Sequence, residues 1–87
     1  MELSLNKLKL QHKVIVFELN AKYNEQNIKF YLEVMCYTEG GVKLYQVHYL
    51  KKNDASITLK SAEMRKIKSE IMDQLEADDF KIIKEAI

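Results

Sequence analysis

Between Ile28 and Tyr37 every even position is apolar (Ile28, Phe30, Leu32, Val34 and Cys36), while the odd positions Lys29, Tyr31, Glu33, Met35 and Tyr37 are mixed. A period of two sends alternate side chains to opposite faces, so this run predicts a strand with one face in a core and the other turned away from it. The stretch from Val14 to Asn20 repeats the pattern with Ile15, Phe17 and Leu19, and its β-branched and aromatic residues favour a strand as well. Two such runs need partners and a cover for their shared apolar face, and the rest of the chain is constrained to supply both.

A third strand is predicted over Val42 to Leu50, because Gly40 and Gly41 offer the positive φ that a tight hairpin demands. With a two-residue turn, Val34 faces Val47, Cys36 faces Tyr45 and Leu32 faces Tyr49, which gathers one apolar face. A three-residue loop would instead turn Gln46 and His48 into the core, where each would need a polar partner. The two-residue register is therefore preferred. The polar run Lys22, Tyr23, Asn24, Glu25, Gln26 and Asn27 reads as a loop between the first two strands. Ser56 to Leu59 is either a short strand or an approach to a helix.

The cover comes from the C-terminal third. Met64, Ile67, Ile71 and Leu75 recur at spacings of three and four, the stripe of a helix with one buried side. Ser61 is its expected N-cap, with Glu63 placed favourably in the first turn. Beyond Leu75, Asp78 is expected to cap a second helix with Phe80, Ile83 and Ile87 inward, the alternative being a final strand over Phe80 to Ile83. The N-terminal leucines Leu3, Leu5, Leu8 and Leu10 alternate like a strand with a phase slip near Asn6, and on a helical wheel they fall on opposite sides. The fold class is therefore α+β: an antiparallel meander of three to four strands with one face covered by a C-terminal helical segment. With no proline, two glycines and no repeat or low-complexity tract, residues 1–87 read as a single domain.

Composition narrows the function. Fourteen basic against thirteen acidic side chains leave a net charge of +1, too little for a global field that holds a polyanion. Arg65 is the only arginine, so bidentate reading of phosphates or guanine edges has almost no material. Cys36 is the only cysteine, which excludes a disulfide within the chain and a multi-thiolate zinc site; its apolar setting suggests a small buried hydrophobe. No apolar run is long enough to span a membrane and no signal-peptide pattern opens the chain, so a cytoplasmic location is expected.

Chemistry-bearing motifs are missing: there is no phosphate-binding glycine loop, nucleophile elbow, paired-histidine zinc helix or EF-hand spacing. Glu18 and Glu33 sit on neighbouring strands but point away from the core, as surface carboxylates do. His48 falls near Glu33 across the hairpin, an ordinary cross-strand polar pair. No cofactor, metal or catalytic residue is expected, and the chain reads as a non-enzymatic interaction module.

The candidate site is the second face of the sheet, where Tyr31, Met35, Tyr37 and Leu44 are the expected partner-binding residues. Tyrosine and methionine are enriched at the centres of protein interfaces, so the expected occupant is a protein partner or a second copy in a homodimer. The competing expectation is that the N-terminal leucines lie over this face as an internal second layer. The alternative function is weak nucleic-acid binding, with tyrosines stacking on bases and Lys29, Lys43, Lys51 and Lys52 meeting phosphates. The coarse order of N-terminal segment, three strands and helix resembles the layout of double-stranded-RNA-binding domains. Ser61, Ala62, Glu63 and Met64 stand where that family carries a basic cluster at the helix start, so the likeness stops at layout.

Overall fold

The structure, a computed structural model, describes residues 1–77 and 80–87. Four strands, β1 (Glu2–Gln11), β2 (Val14–Tyr23), β3 (Gln26–Glu39) and β4 (Val42–Lys52), form one antiparallel sheet in the order β1-β2-β3-β4. Two helices follow, α1 (Ser61–Ala77) and α2 (Lys81–Ala86). The α+β meander read from the periodicity is the observed architecture, with the N-terminal leucines supplying its fourth strand.

All three hairpins close through two-residue turns, His12–Lys13, Asn24–Glu25 and Gly40–Gly41. The segment expected as a loop over residues 22–27 is therefore mostly strand, with Lys22 paired to Asn27 and Tyr23 to Gln26 around the turn. Its polar composition misled because these residues lie at the end of the sheet, where Lys22 and Asn27 remain exposed. Asn24 and Glu25 carry φ of +47° and +63°, and Gly40 and Gly41 carry +59° and +80°. Positive φ at both central residues matches the right-handed twist of the flanking strands.

Each edge strand contains one bulge. In β1 the register shifts between Lys7 and Lys9, so Leu8 is the extra residue, and Leu10 returns to the core side opposite Ile15. The slip lies two residues later than the leucine spacing suggested. In β4 the shift falls opposite Glu33 and Val34 and leaves His48 unpaired. Val34 faces Val47 and Cys36 faces Tyr45 as expected, but Leu32 faces Leu50 rather than Tyr49. The bulge reverses the parity of the strand midway, which brings Tyr45, Val47 and Leu50 all to the apolar side and turns Tyr49 out.

One hydrophobic cluster joins the sheet to the helices. Phe17, Leu19, Phe30 and Leu32 from the sheet meet Ile67, Ile71 and Leu75 of α1 and Ile83 of α2, all fully buried. Leu3 and Leu5 of β1 pack against the same cluster, so the N-terminal segment extends the sheet sideways and does not cover its second face. Residues 56–59 form no strand. There, the ammonium of Lys52 donates to the carbonyls of Asp54, at 2.7 Å, and Ile57, holding the connection against the sheet end.

Two capping expectations need correction. The Met64 amide donates to the Lys60 carbonyl at 2.9 Å, which puts Lys60 in the cap position of α1 and Ser61 one residue inside the helix. Asp78 lies outside the described residues. The residue capping α2 is Phe80, in the left-handed region at φ +61°, whose carbonyl accepts from the Lys84 amide at 3.0 Å. The helical reading of the last segment holds. Of its expected inner face Ile83 is buried and Phe80 half-buried, while Ile87 is exposed.

Candidate functional site

The face opposite the helices carries Val14, Val16 and Glu18 from β2; Lys29, Tyr31, Glu33, Met35 and Tyr37 from β3; and Leu44, Gln46, Tyr49 and Lys51 from β4. This follows from strand parity on either side of the bulges. None of its apolar members belongs to the buried cluster or packs against it. No described element lies over them.

The four expected partner-binding residues all fall on this face but not in one group. Tyr37 stands directly opposite Leu44, and Met35 pairs with Gln46 on one side and Val14 on the other. Tyr31 sits apart, four residues from Met35 and about 13 Å away along the strand. The face thus divides along its length. The end near the β3–β4 turn is apolar, built by Met35, Tyr37 and Leu44 with Val14 and Val16. The other end is polar, with Lys22, Lys29, Lys51, Asn20 and Asn27 around Tyr31.

Val14 and Val16 were missed in the sequence because Ile15, Phe17 and Leu19 already accounted for the apolar parity of β2. The available signal was the unbroken run Val14, Ile15, Val16, Phe17, in which both parities are apolar. Such a run marks a strand whose two faces both bury surface. Val16 is only 3% exposed although no element covers it, because its neighbours on β1 and β3 are the long side chains of Lys9 and Glu33.

The β3–β4 ribbon projects beyond the rest of the sheet. Pairing of β2 with β3 ends at Val14 and Met35, whereas β3 and β4 stay paired to Glu39 and Val42. Tyr37 and Leu44 therefore stand on a two-stranded arm. Its base is anchored by the Cys36 amide, which donates to the Lys13 carbonyl at 2.7 Å. On the helical side of that base Cys36 is half-buried in a shallow groove beside Ile15 and Tyr45, with Leu10 and Ile87 at its rim.

At the middle of the face the polar groups join one another. The Tyr31 hydroxyl donates to Glu33 Oε1 at 2.8 Å, and its ring meets Tyr49 edge-on with centroids 6.1 Å apart. That hydrogen bond, followed by partial burial and the carboxylate's charge, holds the Tyr31 phenol above the ordinary tyrosine range. His48, projecting from its bulge, places Nε2 4.0 Å from Glu33 Oε2, so the expected cross-strand pair is present at the limit of ionic contact. Tyr49 is 48% exposed beside Lys51 and Asn53, at the β4 edge.

Glu18 and Glu33 both lie on this face, as their parity predicted, half-buried rather than fully solvated. Among the described residues no three His, Cys, Asp or Glu side chains are grouped so as to hold a metal ion. Nor is any helix there long and apolar enough to cross a membrane. No protein-family model, curated protein or solved structure matches the chain.

Proposed function

We propose that the protein is a small, non-enzymatic interaction module of the cytoplasm, which binds another protein chain through the apolar end of its uncovered sheet face. The observation that carries this reading is the set Val14, Met35, Tyr37 and Leu44, half-buried apolar side chains on the face the helices leave open, with Val16 already buried beside them. The C-terminal side chains of the core cluster, from Met64 to Ala86, pack on the opposite side. Apolar surface gathered on one uncovered face is the usual mark of a protein contact. Tyrosine and methionine give it large contact area at small entropic cost.

The sheet edges are poorer candidates. Each edge strand carries a bulge and several lysines, Lys7 and Lys9 on β1 and Lys43, Lys51 and Lys52 on β4. Both devices oppose strand addition. A partner therefore meets the face rather than extending the sheet, and a second copy of the chain is the simplest such partner.

The test compares the parent with Tyr37→Glu and Leu44→Glu variants by sedimentation at micromolar concentrations and by capture of partners from a native lysate. The expected result is that association, with itself or with a captured protein, is lost in both variants while the thermal transition stays in place. A parent that is monomeric and recovers the same proteins as the variants would overturn the reading.

A second reading, weak binding of single-stranded nucleic acid, is favoured by one cluster. Tyr31 and Tyr49 stand together beside Lys51 and Asn53, with Lys29 on the same half of the face. Binding of that kind weakens steeply with added salt and with Lys29→Gln or Lys51→Gln, whereas an apolar protein contact barely responds to either.

A further inference from the structure

No further inference is drawn: the strongest candidate, the apolar end of the open sheet face around Met35, Tyr37 and Leu44 on the projecting β3–β4 arm, carries nothing beyond the proposed interface because nothing in the structure shows what covers it.

Discussion

Tyr31 shows how a single contact sets a titration. Its hydroxyl donates to Glu33, and ionising the phenol would break that bond and place a second negative charge beside the carboxylate. The folded protein therefore favours the protonated phenol. The stabilisation is complete below the ordinary tyrosine value of about 10 and is lost as pH rises through the raised one. In an ultraviolet titration one of the five tyrosines is expected to ionise late, and Glu33→Gln should bring that last transition down. Identical curves for the two proteins would remove the assignment.

Asp54 has the opposite sense: the Ser56 hydroxyl donates to its carboxylate, as does the Ser56 amide at 3.1 Å, and the charge of Lys52 adds to these. Together they outweigh the cost of partial burial and hold its carboxyl below the usual carboxylate range. The stabilisation is therefore complete above about pH 4 and is lost as pH falls through the depressed value. Asp54→Asn should be less stable than the parent at neutral pH, and the gap should close in acid. A gap of constant size in urea midpoints at both extremes would count against it.

At the scale of elements, the helix and the central strands meet through side chains that leave no exposed surface. Leu32 lies on β3 and Ile71 on the inward stripe of α1, both fully buried. Truncating either to alanine is expected to cost about 2 to 5 kcal/mol, the range for large-to-small changes in a close-packed core. Chemical denaturation giving less than about 0.5 kcal/mol for either would show that the core lies elsewhere.

The Asn24–Glu25 turn offers a change of the other sign. Glu25 holds φ +63°, a conformation that a residue with a Cβ adopts at a cost glycine escapes. Glu25→Gly should raise stability by about 1 kcal/mol, because an Asn-Gly pair suits this turn best. A lower thermal midpoint would indicate that Glu25 makes a compensating contact.

For the whole molecule, the arrangement is one of unequal layers. A strand of β3's length spans about 40 Å, close to the 42 Å long axis of the molecule, whereas a helix of α1's length reaches about 25 Å. On the helical face the C-terminal segment reaches the β3–β4 arm, where Phe80 and Lys84 meet the Tyr45 ring. On the other face no described element forms a layer. A sheet with one open face is stable when that face is polar. Here half of it is polar and half is not, and the apolar half runs from Val14 and Met35 on the body of the sheet onto the projecting arm at Tyr37 and Leu44. This segregation decides where Tyr37→Glu should act: on association, and only slightly on stability, because Tyr37 is half-buried and has no neighbour from β2.

What the sequence determined by itself was local and periodic. The parity of Ile28 to Cys36, the Gly40–Gly41 turn and the spacing of Met64, Ile67, Ile71 and Leu75 each follow from interactions within a few residues. They placed β3, the turn of the last hairpin with its register as far as Val34 and Val47, and α1, but not the pairing beyond the bulge, where Leu32 meets Leu50 and not Tyr49. The side of the sheet on which Tyr31, Met35, Tyr37 and Leu44 stand followed from the same parity.

What only the tertiary structure decided depended on distant partners. The N-terminal leucines fit a strand or a covering layer equally well until β2 was seen to offer a free edge to pair with. The bulge at His48 keeps Val47 and Leu50 together on the core side across a change of parity, while the bulge at Leu8 shifts the β1 register and leaves Leu10 64% exposed opposite Ile15. Splitting the open face into an apolar and a polar end required the cross-strand register that sets Tyr37 against Leu44 and Met35 between Val14 and Gln46. Side-chain periodicity states which face a residue joins, and only the pairing of strands states which neighbours it meets there.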